Sequence, residues 1–194
     1  MRFLVVDDSA TMRRIVVNSL NRIGFADTVE AGDGQEALEL FGPEIGCVIH
    51  THTRAGVAVS AMKCGLLPIS QHAMRVHAEV TYHDYEGIAL YLEEQERMAR
   101  DLGRTAKAMI LRNHGLLALG DTVREAFEIM YYLDAACQIQ VDACAGGLHN
   151  VQLMSDDAAK KSYDRLSMTD HPRAHRDWPA LLRLLERKGI RYAD

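Results

Sequence analysis

Short apolar runs constrain this chain more than any other feature: Phe3-Leu4-Val5-Val6, Cys47-Val48-Ile49, Leu66 to Ile69 and Ala108-Met109-Ile110-Leu111. Each is too short for a helix, and none alternates apolar with polar residues as a half-exposed strand would. Each therefore predicts a strand covered on both faces. Covering a sheet twice takes two layers of helix, which makes the expected fold class a layered αβα sheet. Between the runs lie segments of helical periodicity. Ser9 caps one that carries Met12, Ile15, Val16, Leu20 and Ile23, with Gly24 closing it. A second strand over Thr28 to Ala31 makes the start a strand-helix-strand unit, whose two strands run parallel. Asp33-Gly34 then turns the chain into a short helix, Gln35 to Phe41, stopped by Gly42-Pro43.

Further helices are expected over Ala55 to Cys64 with Gly65 as stop, Leu92 to Leu102, Val123 to Ala145 behind the capping box Thr122-x-x-Glu125, a stretch after Ser155, and Pro179 to Lys188. With 194 residues, 48% of them hydrophobic, the chain can bury a real core. A net charge of -5, spread along the sequence, offers no basic face to a phosphate backbone, so nucleic acid is not an expected partner. No apolar stretch has the length of a signal core or a membrane span, and Cys47, Cys64, Cys137 and Cys144 form no C-x-x-C pair. The expectation is a cytoplasmic protein with reduced thiols.

Chemistry concentrates in two places. His50 and His52 follow the strand Cys47 to Ile49, and residues two apart on a strand share a face. His114 follows the strand Ala108 to Leu111 and is succeeded by Gly115. Three imidazoles with an open fourth position suit a zinc ion acting as Lewis acid. Taken alone, H-x-H leaves a structural or exposed pair equally open.

The stretch Gly46-Cys47-Val48-Ile49-His50-Thr51-His52-Thr53, then Ala58-Val59-Ser60-Ala61, then Leu111-Arg112-Asn113-His114-Gly115 through Gly120, resembles the class II aldolase and adducin family. The likeness runs over about residues 43–194. It implies a mixed sheet, His50, His52 and His114 as ligands of zinc or another divalent metal, carbon–carbon lyase chemistry on a hydroxy-carbonyl or sugar-phosphate substrate, and a homo-oligomer. It also places His72 at the pocket wall, near where some of the family's sugar-phosphate aldolases carry a catalytic tyrosine. The family's general acid/base is a glutamate upstream of the metal histidines. Glu30, Glu36, Glu39 and Glu44 do not stand in that glutamate's surrounding pattern, so no catalytic base is carried over and reduced or absent turnover is expected. His77, His83, His149, His171 and His175 read as solvated or hydrogen-bonded surface groups, and Tyr82, Tyr85 and Tyr131 as packing residues with a polar tip.

Residues 1–42 carry a different likeness. Phe3 to Ser9, Thr11 to Ile15 and Glu30 to Leu38 resemble the first half of a CheY-like response-regulator receiver, which implies a vestigial magnesium site at Asp7 and Asp8. No aspartate occurs between Asp33 and Asp84 to accept a phosphoryl group. Two half-matches meeting at one strand imply a chimera joined near Gly42 to Gly46. The alternatives to the aldolase reading are a non-catalytic scaffold of adducin type and a receiver-derived signalling protein.

Overall fold

The computed structural model describes residues 2–7, 9–22, 25–32, 45–87, 92–166 and 177–190. One six-stranded mixed sheet organises the chain. Its strands are β1 (Arg2–Val6), β2 (Thr28–Ala31), β3 (Ile45–Thr51), β4 (Val80–His83), β5 (Ala108–Leu111) and β6 (Gly115–Gly120). They lie in the order β2-β1-β3-β6-β5-β4. β1 runs parallel to β2 and β3, β6 is antiparallel to both β3 and β5, and β4 is parallel to β5. The helices are α1 (Ala10–Arg22), α2 (Arg54–Ser60), α3 (Leu92–Leu102), α4 (Val123–Ala143), α5 (Asp156–Leu166) and α6 (Asp177–Arg187).

The alternation of side chains across the strands divides the core in two. Ala108, Ile110, Leu116 and Ala118 pack with Val59 of α2 and with Ile129 and Leu133 of α4. Met109, Leu111 and Leu117, with Phe3, Val5 and Val48, pack with Val16 and Leu20 of α1 and Met98 of α3 on the other face. Burying both faces removes water from apolar surface at about 25 cal/mol per Å², which is why continuous apolar runs form these strands. Thr122 accepts from the Glu125 N–H at 3.2 Å, and the Glu125 carboxylate reaches back to the Asp121 N–H at 2.8 Å, so the expected capping box opens α4. All four cysteines are free, and burial pushes the Cys47 and Cys137 thiols up to about 12.

Several expectations need correction. The helix expected over Ala55 to Cys64 ends at Ser60, because the Ser60 carbonyl accepts the Asn113 N–H at 3.2 Å and the Met62 carbonyl accepts Arg112 Nη1 at 2.8 Å. Leu66 to Ile69 is loop, not strand, with Leu66 and Leu67 buried. The Leu66 N–H donates to the Tyr82 hydroxyl at 3.0 Å, and the Leu67 N–H to Gln140 Oε1 at 2.7 Å, so side chains satisfy what a neighbouring strand would have. The edge strand is instead Val80–His83. The long helix stops at Ala143 and continues as a 3₁₀ turn, Cys144–Gly146. The expected turn at Asp33-Gly34, the helix Gln35 to Phe41 and the helix-closing Gly24 lie outside the described residues.

Candidate metal centre

β3 carries His50 to the end of the sheet on the face it shares with Val48, and pairs it with Leu117 of β6. There His50 Nδ1 lies 2.9 Å from the Leu116 carbonyl, a partner that can only accept. Nδ1 therefore bears the proton, and Nε2 presents its lone pair toward His52 Nε2 at 2.9 Å. Orientation of an imidazole by a backbone carbonyl at its far nitrogen is the usual support of a metal-binding histidine.

β3 ends at Thr51, so His52 stands one residue past the strand. Thr53 follows at once as the N-cap of α2, accepting the Gly56 N–H at 3.2 Å, and this early start of the helix fixes the His52 backbone. His114 arrives from the other direction, in the tight connection Arg112–His114 between β5 and β6. Asn113 adopts the left-handed conformation there, with φ of 57°. The His114 N–H is held by the Leu111 carbonyl and the Ser60 hydroxyl, both at 3.1 Å. A Cβ added to Gly115 would come within 2.5 Å of the Thr51 carbonyl and 3.1 Å of the His52 ring, so only glycine lets the hairpin close upon the histidine strand.

The three rings sit with centroids 4.4, 4.8 and 5.0 Å apart. One nitrogen from each falls within 4.8 Å of the others. That donor set fits a divalent ion at about 2.0 to 2.1 Å from each nitrogen, after small ring adjustments. His50 is buried, His114 half-buried and His52 exposed, so the fourth position faces outward. Burial first, and the neighbouring His52 second, lower the His114 pKa and keep its ring neutral, the form that ligates.

The remaining candidates fall elsewhere. His72 is exposed and leans on Tyr132 at 5.9 Å, apart from the three clustered rings. Asp7 is buried, but its Oδ1 accepts the Ser9 N–H at 2.7 Å in a turn that opens α1. Asp8 lies outside the described residues, and among those described no group of three ligating side chains gathers at Asp7. Glu30 pairs with Arg13 at 3.5 Å, and Glu36, Glu39 and Glu44 are not described. Tyr82 packs as expected, beneath the Arg112 guanidinium at 4.3 Å, and Tyr85 and Tyr131 are exposed. His149 is exposed, His77 is partly buried, and His171 and His175 are outside the described residues. The surface reading of His83 is wrong. It is 4% exposed, with Nδ1 2.7 Å from the Asp101 carboxylate on α3. The two residues are eighteen apart in sequence, and only the packing of α3 against β4 brings them together.

Sheet and histidine cluster together define an αβα protein with a three-imidazole centre at the end of β3. The likenesses to known proteins say which. Residues 39–141 match the family "Class II Aldolase and Adducin N-terminal domain", and the chain belongs to that family. An aldolase II superfamily protein from Pseudomonas syringae superposes with a TM-score of 0.71 at 46% identity, over 76% of this chain and 59% of that one. L-fuculose 1-phosphate aldolase from Glaciozyma antarctica gives 0.60 at 25% identity, over 76% of this chain and 54% of that one. Alpha-adducin of Rattus norvegicus is 37% identical over 97% of this chain, which is 29% of its own length. The chain thus spans less than two thirds of the length of each of these three relatives. These likenesses support the mixed-sheet family and do not extend to a receiver: the adducin match takes in nearly the whole chain, most of residues 1–42 included.

Proposed function

We propose that this protein holds a divalent metal ion, zinc by its all-nitrogen donor set, through His50, His52 and His114, and uses it for class II aldolase-type cleavage of a carbon–carbon bond in a small hydroxy-carbonyl substrate. The observation that carries the proposal is the convergence of three ring nitrogens within 4.8 Å, with His50 oriented from behind by the Leu116 carbonyl. Bound there, the ion supplies Lewis acidity to a substrate oxygen. The chain's part is to hold three imidazoles in place and leave one side open. The sugar-phosphate aldolase among the structural likenesses supports the substrate class.

Metal analysis of the purified protein tests this. One zinc per chain is expected, lost in the doubly substituted His50→Ala, His114→Ala variant. A parent protein that takes up no zinc when offered it sinks the proposal.

Adducin's presence among the relatives favours a second reading, a scaffold that keeps the fold and does no chemistry. A zinc-loaded protein inert toward hydroxy-carbonyl compounds would favour it. The division into residues 1–42 and 43–194, with a receiver-derived first part, is a proposal about descent. It is supported by the motif residues quoted above and by the parallel β2-β1-β3 order. No phosphoryl uptake from a small phosphodonor is expected of it, because the acceptor aspartate is lacking.

A further inference from the structure

No glutamate of this chain stands in the sequence pattern of the family's upstream glutamate, yet the fold places another imidazole in one cavity with His114. His83 ends β4 in register with Leu111, the last residue of β5, and its carbonyl accepts the Arg112 N–H at 2.8 Å. His114 lies two residues past that N–H. His83 and His114 line one small cavity, with Met12, Tyr85, Met98 and Arg112. Its volume, about 10 Å³, is the smallest that admits a water molecule. Asp101, on α3, lies against His83 Nδ1 at 2.7 Å and is itself 42% exposed. A carboxylate there fixes the imidazole as the Nδ1–H tautomer and holds the ring in one orientation, the positioning role of a histidine–carboxylate pair.

We infer that His83, oriented by Asp101, is the proton-transferring residue of this site, acting on substrate through a single water in the cavity it shares with His114. This rests on the metal-site reading above. In the cleavage direction the substrate's β-hydroxyl proton passes, through that water, to His83 Nε2. The hydroxyl-bearing carbon becomes a carbonyl as its bond to the α-carbon breaks, and the electron pair stays on the other fragment as an enediolate. The imidazolium then returns the proton to that carbon. Protons and electrons balance, and no oxidant or reductant is required.

The second half-step can be read without knowing the substrate. The zinc-loaded protein is incubated with hydroxyacetone in D₂O, and exchange of the protons on carbon next to the carbonyl is followed by proton NMR. Exchange above that of free zinc is expected in the parent, falling by about 100-fold in His83→Gln and by about 10-fold in Asp101→Asn, with zinc content unchanged in both. A second readout needs neither metal nor turnover. In the metal-free protein the ¹⁵N shifts of the His83 ring should report a single Nδ1–H tautomer, becoming a mixture in Asp101→Asn. Parent-level exchange in His83→Gln overturns the inference, as does a zinc-loaded parent that exchanges no protons. Either result leaves the metal site standing, whereas a parent that takes up no zinc removes the proposal beneath it.

Discussion

β1 and β3 lie side by side and parallel, and each delivers a buried polar side chain to the same end of the sheet: Asp7, 6% exposed, just past β1, and His50, 8% exposed, within β3. Their neighbours put them to different uses. Asp7 Oδ1 is engaged by the Ser9 N–H two residues on, and the Asp7 carbonyl accepts Arg13 Nη1 at 2.7 Å from the first turns of α1. Those two contacts are local and make Asp7 part of a strand-to-helix turn, while its N–H donates to the Ala31 carbonyl of β2 at 3.2 Å. His50 is engaged by Leu116, sixty-six residues away, at the nitrogen that faces away from His52. A distant strand thus orients the ring so that its other nitrogen meets two more imidazoles. Burial of a polar group at a strand end does not mark a site by itself; the origin of its first hydrogen bond separates a turn from a ligand.

The sharpest way to break the contrast is to disturb the long-range support without touching a histidine. In Gly115→Ala the new methyl would sit 2.5 Å from the Thr51 carbonyl, a backbone atom that cannot rotate away. Overpacking of this kind costs about 1 to 3 kcal/mol. It also pushes β6 from the end of β3, so zinc affinity should fall by about 10- to 100-fold, as when a supporting contact to a ligand is lost. Denaturant unfolding of the metal-free protein gives the first effect, and competition with a chromogenic chelator the second. Unchanged affinity with lowered stability would mean that β6 holds the fold but does not aim the ligands.

Ser60→Ala is a milder intervention on the same side. The Ser60 hydroxyl accepts the His114 N–H at 3.1 Å and donates to the Val57 carbonyl at 2.7 Å. Ser60 is fully buried, so its loss should cost about 1 to 2 kcal/mol, with a several-fold weakening of zinc binding. The same two assays decide it. A stability loss without any change in zinc affinity would show that the α2 contact steadies the turn but not the ring.

What could be read from the sequence follows the same division between local and distant. The runs at residues 3–6, 47–49 and 108–111 were legible as strands because a stretch buried on both faces needs no partner pattern to declare itself. His50 and His52 could be placed on one strand face from their spacing, but joining them to His114 took the family resemblance, because H-x-H alone leaves an exposed pair equally open. Leu66 to Ile69 has the same apolar texture as the true strands, but the Tyr82 hydroxyl and Gln140 amide that capture its N–H groups come from 16 and 73 residues away. Val80-Thr81-Tyr82-His83 is a strand with too mixed a composition to announce itself, and His83 looked like a surface residue because nothing near it in sequence shows Asp101 across the α3 packing. The misreadings of Leu66 to Ile69 and of His83 share one cause: a hydrogen-bond partner supplied by tertiary structure.

Asp7→Ala probes the other member of the opening pair and should do least. It removes the acceptor of the Ser9 N–H at the mouth of α1, a loss comparable to that of a helix cap, about 1 kcal/mol. Arg13 keeps its bond to the Asp7 carbonyl, since that acceptor belongs to the backbone. Zinc content should stay at the parent value, because none of the contacts that aim His50, His52 or His114 involves Asp7. Magnesium should leave the melting temperature of parent and variant alike unmoved, since among the described residues no group of three ligating side chains gathers at Asp7. A magnesium-dependent rise in the parent that Asp7→Ala abolishes would place a second metal site at the end of β1, making the two strand ends alike in kind and different only in the ion each selects.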